Sequence, residues 1–469
     1  MFLRKIRAFA LIVFATMPAV PVAACLIAPQ SASAAERPRL ALTWHAQYGG
    51  PATDVAYSVA ISQGQVFTIG GSDGDDSCFG SPYYTTSLNC KLTVWANSIQ
   101  SGTKTWTYKT PGRAEAVATG KGKVFVVGAG TRHSGINDFR IVALDQKTGD
   151  VAWSDGSLPP GTIGGEAFAV AVSGNLVFAV GCVFTGTEIQ QSAYFIRAYD
   201  TDTGAKLWEQ QGAPKYYQGI FFGVAAANGK VVVSGEGAWN WLVQAYDAST
   251  GAVAWAQEVD SGFGFDEAKP VVIRGSTVFA VGELAQKNTT DIKDAYAQAY
   301  DLNTGTVLWS SLVDSGGFDA LYAVAASAHG LYTGGTSGVD CTFFNAGTCP
   351  LYMSSLDPAS GAILWQDYLD TTGVGQVTAV GVSENYVYMT GQGGVQCFTT
   401  CQVILRTYRA KSGKVVSTKY IDFHGEDNTY PALAIADGYL LLVGSTQTKK
   451  GDYDAFISAY KLPTDPSSD

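Results

Sequence analysis

Acidic side chains recur where short alternating segments, the pattern of β-strands, begin. They are Asp54, Glu166, Asp266, Glu267, Asp319 and Asp427. Carboxylates gathered at one end of a sheet can cap turns and remain solvated at a rim, or they can bind a cation or another ligand. The sequence leaves both interpretations open and makes these acids candidates for a binding face.

Few other side chains have the chemistry for binding or catalysis. Asp73–Asp76 is similar to part of a calcium loop but lacks the bidentate Glu and the full spacing. Trp239 and Trp241 alternate, so they can stack on a ring or a sugar, or pack between sheets. His133 and His424 are the histidines best placed for acid–base work, yet lone loop histidines are usually solvated. Because no hydrolase elbow, zinc-protease, P-loop or haem motif occurs, we predict no catalytic residue and no metal site.

Cysteine spacing predicts local disulfides. Six cysteines fall into three pairs that each bracket a loop: Cys78 with Cys90, Cys341 with Cys349, and Cys397 with Cys401. An oxidising compartment would join them. Zinc bound by the last two pairs is an alternative, although the spacings differ from those of zinc knuckles. Cys182, within an apolar segment, is interpreted as a small buried hydrophobe.

The N-terminus has the pattern of an export signal. Arg4, Lys5 and Arg7 precede an apolar run, and a tract of small residues follows Pro29. We predict a signal peptide over residues 1–34 and a periplasmic or extracellular protein. A lipid anchor at Cys25, and hence an outer-membrane lipoprotein, is the alternative. Both place the protein outside the cytoplasm.

Charge and hydropathy exclude two classes of partner. Removing residues 1–34 takes three basic residues and no acids, so the formal net charge changes from −10 to −13. An acidic chain disfavours nucleic acid, which requires a basic face. The body contains no 18-residue apolar run, so we predict no transmembrane span there.

One pattern repeats along the chain. Ala143-Leu-Asp145-x-x-Thr148-Gly149-x-x-x-Trp153 has close copies that end at Trp208, Trp255 and Trp309 and weaker copies that end at Trp106 and Trp365. Successive tryptophans are 47, 55, 47, 54 and 56 residues apart. Between them, period-2 runs separated by tight turns predict four short antiparallel strands per unit.

The repeat predicts an all-β, eight-bladed β-propeller over residues 35–462, followed by a polar tail over 463–469. Inner strands are expected near Val55, Ala114, Glu166, Ile220, Glu267, Ala320, Val377 and Tyr430. The last unit lacks its outer strand, whereas the segment around Trp44 has the pattern of one. We therefore expect the N-terminal strand to complete the last blade and to close the ring.

The tryptophan-ending motif resembles the PQQ-like β-propeller repeat of quinoprotein alcohol dehydrogenases. Similar repeats build the barrel-assembly lipoprotein of the outer membrane, a scaffold. The resemblance implies the fold, while PQQ with calcium is implied only for the dehydrogenase branch. This chain lacks the adjacent cysteines of that branch, and no cofactor is expected. The alternative functions are a PQQ-dependent dehydrogenase or another propeller enzyme, a hydrolase or a lyase.

Strand alternation predicts that second-to-third loops and outer-to-inner crossovers share one loop-rich face. Binding sites are usually on loops held by a rigid scaffold. We therefore expect a binding or scaffolding module that engages a protein or a glycan through this face. The candidate residues there are Asp54, Glu166, Trp239, Trp241, Asp266 and Asp319.

Overall fold

The computed structural model describes residues 40–74, 90–131, 137–186, 191–212, 218–286, 289–341, 349–371, 373–394, 402–421, 431–448 and 451–463. These residues form 31 β-strands and no α-helix. Within this described part, no helix has the length and apolar character that a membrane crossing requires.

Four of the sheets contain four antiparallel strands each. One contains β9 (Gly164–Ser173), β10 (Leu176–Phe184), β11 (Ser192–Asp200) and β12 (Lys206–Gln211). The next contains β13 (Gly219–Ala227), β14 (Lys230–Gly237), β15 (Asn240–Asp247) and β16 (Val253–Val259). A third contains β25 (Val374–Val382), β26 (Tyr386–Gly394), β27 (Gln402–Arg409) and β28 (Val415–Ile421).

The fourth of these sheets joins the two ends of the described chain. Its order is β1 (Ala41–Tyr48), β31 (Tyr453–Lys461), β30 (Tyr439–Gln447) and β29 (Ala432–Ala436). β1 runs antiparallel to β31, with Ala41 opposite Lys461 and Tyr48 opposite Ala455. The N-terminal strand therefore occupies the outer edge of the last sheet.

Two larger sheets account for the remaining strands. One contains β2 (Thr53–Ser62), β3 (Gln65–Gly74), β4 (Lys91–Ser98), β5 (Lys104–Gly120), β6 (Lys123–Thr131), β7 (Asn137–Asp145) and β8 (Val151–Asp155). The other contains β17 (Glu267–Arg274), β18 (Thr277–Gln286), β19 (Thr289–Asp301), β20 (Val307–Val313), β21 (Phe318–Ser327), β22 (Gly330–Gly338), β23 (Leu351–Leu356) and β24 (Ile363–Leu369).

Each larger sheet is continuous at one narrow point. β5 pairs with β4 up to Pro111 and with β6 from Gly112 onward. In the second sheet, β19 and β21 meet through one parallel pair, Lys293 with Phe318. The repeat pattern predicts that one four-stranded unit ends and the next begins at both points. In the structure, the backbone instead stays extended through Pro111–Gly112, so that β5 is continuous.

The repeated tryptophans join one sequence repeat to the next. Trp255 donates its indole N–H to the Leu302 carbonyl at 2.9 Å, and its ring covers Gly305. Gly305 has φ +71°, and an added Cβ would lie 2.6 Å from the indole, so only glycine fits there. Trp44, Trp106, Trp153, Trp208, Trp309 and Trp365 make the same contact with Gly102, Gly149, Gly204, Gly251, Gly361 and Gly413.

Candidate functional site

The hairpin between β14 and β15 presents a tryptophan at its tip. Gly237 pairs with Asn240, so the turn consists of Ala238 and Trp239 alone, with φ +54° and +68°. A two-residue turn of this kind favours Asn-Gly, and a bulky residue in the left-handed region is an outlier. Such strain is retained mainly where the surrounding structure enforces it, and often at functional positions.

A second aromatic residue in the left-handed region lies against this tip. Phe265, with φ +61°, belongs to the crossover from β16 to β17. Its ring stacks on Trp239 with centroids 4.8 Å apart and planes 17° apart. Phe263, two residues earlier, is 44 % exposed and Phe265 is 36 % exposed. We call Trp239, Phe263 and Phe265 the aromatic platform.

Buried polar groups hold the crossover that carries the platform. The fully buried Asp266 carboxylate accepts the N–H groups of Ser261 at 2.8 Å and Ala285 at 2.7 Å. The backbone N–H of Asp266 donates to the Trp239 carbonyl at 2.9 Å, which ties the crossover to the hairpin. Asp266 is therefore a positioning residue, which fixes the crossover that brings Phe265 against Trp239.

A buried ion pair holds the backbone of Phe265 in place. Lys293 Nζ donates to the Phe265 carbonyl at 2.8 Å and to Glu283 Oε1 at 2.6 Å. Lys293 and Glu283 are both nearly inaccessible to solvent. A buried pair fixes geometry because removing one partner leaves an uncompensated charge.

Trp241, the other tryptophan of the predicted pair, has a different environment. It is fully buried, donates its indole N–H to Tyr300 Oη at 3.0 Å and packs edge-on against Tyr296. It therefore packs between sheets. The structure separates the two alternatives that the sequence left open: Trp241 belongs to the core, and Trp239 lies at the surface.

The candidate acids do not form one site. Glu166 is buried beside Arg113, and burial raises the pKa of Glu166 above the usual value for glutamate despite the opposing effect of that guanidinium. Asp319, at the start of β21, is fully buried and accepts the Ser315 N–H at 2.7 Å. Asp54 is 4 % exposed, and burial raises its pKa to about 6. These acids belong to separate crossovers, and Asp427 lies outside the described residues.

The inner strands contain a feature that sequence reasoning missed. In seven of them the pairing register shifts by one residue at an irregularity that includes Tyr57, Glu115, Phe168, Phe222, Lys269, Tyr322 or Thr378. Each stands thirteen positions before a glycine of the second strand. An added Cβ on that glycine would strike the inner strand's backbone, for example 2.0 Å from the Glu166 carbonyl at Gly181. This constant spacing is the signal that could have revealed the bulges.

The bulged residues contact one another from strand to strand. Lys269 Nζ lies 5.7 Å from the Phe222 ring centroid and 5.4 Å from that of Tyr322. The three line an open cavity of about 360 Å³. Burial lowers the pKa of Lys269, but the carboxylates of Glu267 and Glu283 outweigh burial and raise it well above its usual value. The charge of the Lys269 ammonium is thus already balanced by the carboxylates of Glu267 and Glu283.

Cys341 and Cys349 form a disulfide. Cys182 is fully buried with a free thiol, and burial raises its pKa well above the usual value, so it is an unreactive core residue. Cys90 is also buried, and its Sγ lies 3.4 Å from the Gly112 carbonyl. The described part excludes Cys78, Cys397, Cys401, His133, His424, Asp75 and Asp76, so the two pairings that involve these cysteines stay predictions.

Repeated four-stranded antiparallel sheets joined by docked tryptophans define the chain as a β-propeller with PQQ-like repeats. A family model described as outer membrane protein assembly factor BamB matches residues 77–187 and 193–438. The chain belongs to this family, and the resemblance drawn from the tryptophan motif is confirmed.

Comparison with solved structures gives the same fold. The chain is similar to Sqt1 of Saccharomyces cerevisiae, with 11 % identity, 89 % of this chain and 98 % of that chain covered, and a TM-score of 0.52. The WD40 domain of SCAP from fission yeast matches with 10 % identity, coverage of 91 % and 98 %, and a TM-score of 0.48. A search of curated protein sequences finds no match.

Proposed function

We propose that this chain is an exported, non-catalytic binding or scaffolding propeller that docks a protein partner on its loop-rich face, centred on the aromatic platform. The observation that carries the proposal is Trp239, held in a left-handed hairpin turn and stacked on the exposed Phe265. Rigid, partly exposed tryptophans are frequent hot spots of protein interfaces. Buried support from Asp266 and Lys293 preorganises the surface, which lowers the entropic cost of binding.

The scaffold in this proposal is a closed ring of eight blades. The sheet β2–β8 divides within β5 at Pro111–Gly112, and the sheet β17–β24 divides at the single Lys293–Phe318 bridge. Each half then contains four strands, like the other sheets. Pairing of β1 with β31 supports closure by the N-terminal strand.

Export is proposed from the sequence and from the oxidised pair. Residues 1–34 have the signal pattern, and the Cys341–Cys349 disulfide is of the kind that persists in oxidising compartments. A protein working there can meet other exported proteins through its loops. The lipid anchor at Cys25 is a variant of the same proposal.

The test is capture of exported proteins on the immobilised chain, followed by measurement of the affinity of each purified partner. Trp239→Ala combined with Phe265→Ala should weaken that affinity about 30-fold, as expected for the loss of a hot spot of about 2 kcal/mol. Leu308→Ser, at a 51 % exposed position on the outer strand β20, is the control and should bind normally.

An equal affinity of the platform variant and the wild-type chain would refute docking on these rings. Capture of a glycan in place of a protein would refute the partner class but keep the face. Reduction of an artificial electron acceptor after reconstitution with PQQ and calcium would instead support the dehydrogenase alternative.

A further inference from the structure

The loop that presents the aromatic platform is acidic as well as aromatic. The crossover from β16 to β17 begins with Asp260, whose exposed carboxylate accepts the Gly262 N–H at 2.7 Å. Phe263 follows three positions later, so this carboxylate and the exposed rings share one short loop. No lysine or arginine occurs in the sequence from Asp260 to Asp266. The rings are therefore displayed next to a negative charge.

The next crossover, between β20 and β21, begins in the same way. It also starts with an Asp-Ser-Gly sequence, and Asp314 is exposed and accepts the Gly316 N–H at 2.7 Å. Residues 314–319 contain no lysine or arginine either. The recurrence places a second exposed carboxylate at the same end of the neighbouring repeat.

Strand β19 connects the two crossovers. Lys293 pairs with Phe318, the first residue of β21, and donates to the Phe265 carbonyl of the first crossover at 2.8 Å. Asp294, the residue after Lys293, has a carboxylate oxygen within 4.8 Å of one from Asp314. Asp314 therefore lies beside the crossover that carries the platform.

The basic side chain at this junction is not accessible to a ligand. Lys293 is 6 % exposed, and its ammonium donates to Glu283 Oε1 at 2.6 Å. Among the ion pairs of the described residues, none involves Asp260 or Asp314. The positive charge is thus balanced inside the fold, while the two exposed carboxylates give the surface around the rings a negative potential.

We propose that the aromatic platform, flanked by Asp260 and Asp314, binds a basic, arginine-containing segment of an exported protein. This inference rests on the proposed function and names the chemistry of its partner. A guanidinium stacks on aromatic faces, tryptophan above all, and its N–H groups bond to carboxylates. The exposed rings and their acidic neighbours therefore favour the same cationic side chain. The negative potential also attracts such a segment before contact, an effect that salt weakens.

The experiment is isothermal titration of the purified protein with a peptide of alternating arginine and glycine. A second peptide has citrulline in place of arginine, which keeps the planar side chain and removes the charge. The arginine peptide should bind at least about tenfold more tightly than the citrulline peptide, and its affinity should fall as salt is raised. Trp239→Ala combined with Phe265→Ala should weaken binding of the arginine peptide about tenfold.

The carboxylates are tested by Asp260→Asn combined with Asp314→Asn. Asparagine keeps an oxygen acceptor for the two glycine N–H groups, so both loops should form as before. This variant should bind the arginine peptide about fivefold more weakly and with a smaller dependence on salt. Asp150→Asn combined with Asp437→Asn is the matched control, at exposed positions in turns at the opposite ends of the strands, and should bind normally.

Absence of binding by the arginine peptide, or equal binding of the citrulline peptide, would overturn the inference. So would full affinity of the platform variant or of the Asp260→Asn, Asp314→Asn variant. If the double platform variant fails to fold, Phe263→Ala, which removes the most exposed ring, decides the question in the same way.

Failure of this inference is distinguishable from failure of the proposed function. If a purified protein partner loses affinity for the platform variant while the arginine peptide does not bind, docking on the rings stands and the basic segment is rejected. Binding of maltohexaose by the platform in place of the peptide would assign the rings to a glycan and would also reject the inference.

Discussion

At the scale of single residues, Asp54 should influence the pH dependence of stability. Its pKa is about 6 in the folded protein against 3.8 ordinarily, because burial disfavours the charge and the carboxylates of Asp73 and Asp454 add to it. Between these two values the folded state holds the proton that the unfolded state releases. The contribution of Asp54 therefore lowers stability as pH rises from about 4 to about 6, and the loss persists above that range.

Asp54→Asn removes this charge and keeps an oxygen acceptor for the backbone. We expect the variant to have a higher unfolding midpoint than the wild-type chain at pH 7.5 and a smaller advantage at pH 4.5. Thermal unfolding monitored by circular dichroism across this range checks the prediction. A constant difference between the two proteins at all pH values would contradict it.

Individual site residues were only partly predictable. Trp239 and Trp241 differ by two positions, yet the first is at a turn and the second is in the core, because the β14–β15 hairpin turns at Ala238–Trp239. This turn contains no Asn-Gly dipeptide, and its left-handed residues are Ala and Trp, so nothing in the sequence marks it as a tight turn.

At the scale of elements, the β14–β15 hairpin has a backbone strain that can be relieved without touching the platform. Ala238 has φ +54°, where glycine has no steric penalty. Ala238→Gly should stabilise the protein by about 0.5–1 kcal/mol, since the strain it removes exceeds the entropy that glycine adds. Ala256→Gly, at an exposed position within β16, should destabilise it by a similar amount because glycine weakens strand interiors.

Urea unfolding of the two variants measures both effects. The platform residues are intact in each, so partner binding should be unchanged. Equal destabilisation by the two substitutions would indicate that the turn is not strained.

The strands were predictable because the same alternating pattern recurs in successive repeats. Expected inner-strand positions such as Ile220 and Ala320 lie within two residues of the observed starts of β13 and β21. The bulges were not predicted, since a one-residue register shift leaves the alternating pattern on each side looking regular. Only the constant spacing to a glycine of the second strand marks which residue is extruded.

At the scale of the whole molecule, the outer strand β1 should be indispensable. It pairs with β31, and Trp44 within it donates to the Ile99 carbonyl at 2.7 Å in the neighbouring sheet. A chain that begins at Gly50 loses both contacts and leaves β31 as an unprotected edge. We expect a lower unfolding midpoint and concentration-dependent association.

The control begins at Pro38 and retains β1. Size-exclusion chromatography with light scattering, together with thermal unfolding, compares the two truncated proteins. A monomeric shorter chain with an unchanged midpoint would show that β1 does not close the ring.

The indole-over-glycine contact has an evolutionary consequence. Six units contribute both a glycine turn to the unit before them and a tryptophan to the unit after them, as Gly305 and Trp309 do. A gene segment that is copied or lost as one period therefore carries the glycine that fits the preceding unit and the tryptophan that fits the following unit. Ancestral lineages could change the number of modules without inventing a new fit between neighbours.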